Sequence, residues 1–164
     1  MLPARSQISL PTAFSLKNSI WYNGHRFCIL KDGEQTDGAF TLIHCFMRRG
    51  GEPPAHYHQN EDMTSYVLQG EIRYHIGSKI FNTREGELAY LPKGIPHQFK
   101  LITQTAKVLM LITPAGFESF FRQFSVPAKS MGLPPVPDGE PPAVFINQML
   151  AKAEELGIVW MPEF

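Results

Sequence analysis

Two histidines one residue apart, His56 and His58, are the residues of this sequence whose types and spacing most directly suggest chemistry. In an extended segment residues i and i+2 point to the same face, so both imidazoles would enter one small volume. Two neutral imidazoles on one strand make half of a transition-metal site, and the remaining ligands must come from elsewhere in the chain. A third histidine, His97, follows Pro92-Lys93-Gly94-Ile95-Pro96. Proline fixes one dihedral and glycine permits a positive one, so a tight corner there can deliver His97 at the start of a strand, aimed inward. Three imidazoles leave positions open on one divalent transition metal (iron, copper, nickel, manganese or zinc), and a catalytic metal needs an open position.

The elements that must position these side chains are short. Residues 25–30, 39–48, 55–58, 63–68, 71–76, 80–83, 87–91, 98–102 and 107–113 are apolar, β-branched or aromatic runs, and nearly every break between them carries Gly, Pro, Asn or Asp. Many short strands without helical periodicity between them predict an antiparallel sandwich or barrel. After Pro114 the period changes. Phe117, Phe120, Phe121 and Phe124 fall on one helical face, which predicts a helix packed against the sheet. A proline- and glycine-rich loop over 125–142 is long enough to form a lid. Ile146, Met149, Leu150, Ala153 and Leu156 then mark a second amphipathic helix, opened by Pro141-Pro142 and closed by Gly157. The apolar tail Ile158-Val159-Trp160-Met161 needs a surface to cover it, on its own body or on another chain.

Composition bounds the function. The 164 residues fit one domain, large enough to fold without a structural metal or disulfide, so a metal here would be functional. A formal net charge of zero gives no general attraction to nucleic acid or to an anionic membrane. Cys28 and Cys45 show no CxxC spacing, and no secretory h-region or membrane-length apolar run is present, so a cytoplasmic protein is expected.

The residues around the three histidines resemble the two motifs of the cupin superfamily. Gly50, His56, His58 and Gly70 fall on the first motif, and Gly86, Pro92, Gly94 and His97 on the second. Segment 33–42, the run Tyr66-Val67-Leu68-Gln69-Gly70, and the helices at 117–121 and 151–158 are similar to the quercetin-dioxygenase-like branch of small single-domain cupins. The resemblance implies an all-β jelly-roll sandwich or barrel with one or two C-terminal α-helices, a metal at the barrel mouth held by His56, His58 and His97, and a homodimer. It divides the chain into an N-terminal arm (1–24), a barrel core (25–114) and a C-terminal helical extension (115–164). There are two departures. Leu101 stands at the asparagine of the second motif, a position that is not a ligand. Met63 stands where this branch places a ligand glutamate, with Glu61 and Asp62 one or two residues early, in the turn. Glu61 is the candidate to bend in as a carboxylate ligand. Met63 either offers a soft thioether favouring copper or fills an apolar gap.

Thiol dioxygenases, another cupin group, resemble a three-histidine arrangement without the glutamate. The resemblance thus implies a metal-dependent oxygenase acting on an aromatic or enolic small molecule, in secondary metabolism. With no glutamate to take the substrate proton, Tyr57, His44 and His75 are the alternative bases. Tyr57 and Met63 are the candidate catalytic side chains; Met63, Tyr66, Tyr90 and Phe99 are the expected pocket residues. A non-oxidative enzyme (isomerase, cyclase or lyase) using the metal as a Lewis acid, or a ligand-binding protein without turnover, is the alternative.

Overall fold

A computed structural model of the protein describes residues 14–164. Among them, after a 3-10 turn at Leu16–Asn18, twelve strands form two antiparallel sheets: β1 (Ser19–Tyr22), β2 (His25–Lys31), β3 (Thr41–Arg48), β4 (His56–His58), β5 (Asp62–Gln69), β6 (Glu71–Ile76), β7 (Lys79–Arg84), β8 (Leu88–Leu91), β9 (His97–Leu101), β10 (Thr105–Thr113), β11 (Val126–Pro127) and β12 (Ile158–Trp160). Two helices accompany them, α1 (Glu118–Gln123) and α2 (Ala143–Glu155). The larger sheet runs β11-β1-β2-β3-β10-β5-β8 and the smaller β12-β4-β9-β6-β7. This is the expected jelly-roll sandwich. No helix among the described residues is long and apolar enough to cross a membrane.

Alternation along the strands builds the core. Ile43, Cys45 and Met47 of β3, Val67 of β5, Ile72 and Tyr74 of β6, Leu101 of β9 and Val108 of β10 are buried between the sheets. Because Ile43 and Cys45 face inward, His44 must face outward, and its ring packs edge-on against Phe14 at 4.3 Å. His75 also faces away from the core and stacks on Phe164 at 4.2 Å.

Strands also form on either side of residues 25–114. β1 lies inside the presumed N-terminal arm, yet pairs with β2 from Ser19↔Cys28 to Tyr22↔His25. The C-terminal extension is not only helical: its tail forms β12, paired with β4 from Ile158↔His58 to Trp160↔His56. The tail thus covers itself on its own body. Loop 125–142 contributes β11, which pairs with β1.

Helix α1 is anchored by a buried carboxyl group. Glu118 accepts hydrogen bonds from the Thr41 hydroxyl at 2.6 Å, from Gly116 N at 2.7 Å and from Gly33 N at 2.8 Å. Burial pushes its pKa up, but these donors outweigh burial and hold it below the ordinary glutamate value. A folded pKa below the unfolded one stabilises the protein above the unfolded value, and the benefit fades as pH falls through the folded value. Glu118→Gln is therefore expected to cost about 1–3 kcal/mol at pH 7 and progressively less below about pH 4. Urea denaturation at the two pH values checks this; a loss independent of pH would show that the charge is not involved.

Candidate metal centre and its cavity

His56 and His58 are the first and last residues of the three-residue strand β4, so both face inward and Tyr57 between them faces away. On one side β4 pairs with β12 over three residues, and on the other it meets β9 at the single pair His56↔His97. The Pro-x-Gly corner makes that pair possible. Gly94 sits at φ +76°, in the left-handed region that the turn requires. Its N–H donates to the His58 carbonyl at 2.7 Å, and Lys93 N donates to Asp62 Oδ1 at 2.9 Å. The second motif is thereby fastened onto the first, and His97 emerges beside His56.

The three imidazoles converge. One ring nitrogen from each lies within 4.8 Å of the others, and all three residues are buried. The ring centroids of His56 and His97 are 4.7 Å apart, and those of His56 and His58 are 5.3 Å apart. Each Nδ1 is already committed: in His56 to the Pro54 carbonyl at 2.7 Å, in His97 to the Ile95 carbonyl at 3.1 Å, and in His58 to Glu61 Oε2 at 3.1 Å. A carbonyl oxygen can only accept, so the Nδ1 atoms of His56 and His97 carry the proton and Nε2 is left as the lone-pair nitrogen. Burial pushes the pKa values of His56 and His97 down to about 4, and neighbouring imidazoles add to the fall. Both are neutral at pH 7, the form that ligates a metal.

Glu61 is not a member of the converging set. Its carboxyl group, 7% exposed, turns back to the His58 ring instead. The alternative in which it bends in as a ligand does not fit, for a local reason. The turn that brings Asp62 to Lys93 and Asn60 to the Leu156 carbonyl leaves Glu61 directly beneath His58. A buried carboxylate without a partner is costly, and the partner of Glu61 is the His58 ring, whose Nδ1 lies 3.1 Å from Oε2. Three converging imidazoles with a carboxylate behind one of them suit a divalent transition metal.

Around the imidazoles lies a cavity of about 510 Å³. Met63 and Phe99 line it as expected, Met63 packing as an apolar filler against the core. Tyr66 and Tyr90 do not. They are 40% and 53% exposed on the outer face of the larger sheet, because Met63, Ser65 and Val67 take the inward positions of β5 while Ala89 and Leu91 take those of β8. Tyr57 is likewise absent from the lining, and with His44 and His75 facing out, none of the three alternative bases reaches the cavity. His25 does line it, but its Nδ1 accepts from Arg48 N at 3.1 Å and its Nε2–H donates to the Gly51 carbonyl at 3.0 Å. Glu52, the one lining carboxylate among the described residues, accepts from Gly50 N and Leu101 N. Among the described residues the lining contains no lysine or arginine.

The far wall comes from residues that sequence reasoning treated as packing. Phe117 meets the His58 ring edge-on at 4.7 Å, Phe120 and Phe121 continue that surface, and Ile146, Met149 and Leu150 of α2 face the cavity. Trp160 of β12 lies 5.5 Å from the His56 ring. The phenylalanine stripe and the apolar face of α2 were visible as patterns; that both border a cavity depends on the tail strand, which has no distinguishing motif.

Comparison with known proteins agrees with this geometry. Residues 43–113 match the cupin domain family. These residues form a cupin domain within the chain. Over 125 residues this cupin is 25% identical to quercetin 2,3-dioxygenase of Bacillus subtilis, covering 76% of the chain but only 36% of that enzyme. It is 28% identical over 60 residues to an uncharacterized protein of Aquifex aeolicus, half of whose length it spans. Among solved structures, an RmlC-like cupin from Shewanella frigidimarina superposes with a TM-score of 0.57 at 18% identity, covering 68% of this cupin and 96% of that chain. The nucleoside dehydratase Pac13 superposes with a TM-score of 0.53 at 16% identity, covering 74% and 97%. At such identities the structural likeness concerns the fold alone.

Proposed function

We propose that this cupin is a metal-dependent oxygenase acting on an aromatic or enolic small molecule, with His56, His58 and His97 as the metal ligands. The observation that carries this reading is the pinning of all three Nδ1 atoms, which leaves three Nε2 atoms directed to a single centre at the base of an apolar cavity. Bound there, a divalent transition metal would supply Lewis-acid polarisation of a substrate oxygen and an electron path to dioxygen. The chain's own residues do the rest. The phenylalanines of the α1 region and the apolar face of α2 bind a flat, uncharged body and exclude water. With no lysine or arginine in the lining among the described residues, none of them holds a second anionic group, so the substrate's one acidic oxygen belongs at the imidazole end. Among the described residues no free base faces the cavity, which favours substrates acidic enough to ionise on binding, such as phenols and enols. The similarity to quercetin 2,3-dioxygenase supports the same class.

Oxygen uptake by protein loaded in turn with iron, copper, nickel or manganese tests the proposal. Uptake with apolar phenols or enols and none with small dicarboxylates is expected. Conversion of such a substrate without oxygen consumption would replace the oxygenase with a non-oxidative lyase or isomerase, and no conversion at all would leave a ligand-binding protein.

A further inference from the structure

The three imidazoles are not held alike. His56 and His97 donate from Nδ1 to backbone carbonyls two residues before them, whereas His58 donates to a side-chain carboxylate. The residues on either side of Glu61 have other tasks. Asn60 Nδ2 donates to the Leu156 carbonyl at 3.1 Å, which fastens the turn leading into β12, and Asp62 receives Lys93 N from the Pro-x-Gly corner. With both neighbours tied to separate parts of the fold, the backbone at 61 is fixed and its carboxyl group is buried against one ring nitrogen at 3.1 Å. Among the described residues no other carboxyl group is hydrogen-bonded to the cluster, and the inward position two residues on is Met63, which brings no charge.

We infer that Glu61 is the positioning residue of the metal centre: it holds His58 with the proton on Nδ1 and supplies, through that ring, the negative charge that the coordination sphere itself lacks. The inference rests on the proposed metal site. A carboxylate behind a ligating imidazole fixes ring orientation and tautomer and raises the basicity of the opposite nitrogen. His58 is therefore the strongest donor of the three, and the centre is electronically lopsided.

The test compares wild type with Glu61→Ala, Glu61→Gln and His58→Ala. Two readouts are needed: Zn²⁺ and Co²⁺ affinity by competition with a chromophoric chelator, and nitrogen-15 NMR of the histidine rings in metal-free protein. Glu61→Ala is expected to weaken both ions by about 10- to 100-fold and to release the His58 proton from Nδ1. Glu61→Gln, whose amide oxygen still accepts, is expected to keep the tautomer and lose less than about tenfold. An unchanged tautomer with affinity within about twofold in Glu61→Ala would overturn the inference. So would a loss in Glu61→Gln equal to that in His58→Ala, which would make Glu61 a direct ligand. If wild type binds neither ion, the metal-site reading falls and the charge-supply role with it, whereas the tautomer measurement, made without metal, still decides the positioning role.

Discussion

Replacing His97 with alanine is expected to lower divalent-metal affinity on the order of a thousandfold while leaving the fold in place. Two nitrogen donors from β4 cannot close a centre that three converging rings define, and the variant loses the only ligand that comes from the second motif. The fold should survive because β9 keeps its pairing with β6 from Ile72↔Leu101 to Ile76↔His97, which is a matter of backbone and not of the imidazole. Metal analysis of wild type and variant, each purified without added metal or chelator, is the direct check. About one equivalent in wild type and none in the variant supports the centre. A fully folded, metal-free wild type would overturn the oxygenase reading and leave Met63 as the mark of a dismantled site.

Removing residues 158–164 is expected to produce the largest structural effect, a loss of about 3–6 kcal/mol accompanied by loss of metal binding. Strand β4, which carries two of the three imidazoles, shares one residue pair with β9 but three with β12. The tail is thus its principal partner in the sheet. It also buries Ile158 to 4% exposure and places Trp160 against His56. Against a typical total of about 5–15 kcal/mol, such a loss brings the domain near its unfolding threshold. Urea denaturation reads the stability change from the midpoint, and a metal titration reads the site. An unchanged midpoint would show that β9 alone suffices to hold β4.

The three-histidine cluster was legible because its signals are local. The i, i+2 spacing of His56 and His58 fixes a common face once the segment is extended, and Pro92 with Gly94 leaves the chain few ways to turn before His97. The pocket was legible only in part, and the errors follow from strand parity. Met63 and Tyr66 lie three apart on β5, so a single strand cannot turn both inward; Met63 pairs with Leu91 across the sheet and takes the inward place. Tyr90, next to Leu91, then faces out for the same reason. The role of Glu61 was hidden because side-chain direction in a tight turn depends on contacts from Lys93 and Leu156, far away in sequence. The tail was hidden because an apolar run of three residues carries no information about which edge it will join.

The cavity wall described above has a bearing on how such a protein can change. Its reactive end is built on β4 and β9 with β12 bracing β4, and its recognising end on the α1 region and α2. Ile146, Met149 and Leu150 can be exchanged for larger or smaller side chains without moving any backbone that carries an imidazole. Chemistry and diet are therefore inherited from separate stretches of the chain. One lineage could keep its catalytic apparatus and drift from one apolar substrate to another by editing a single helix.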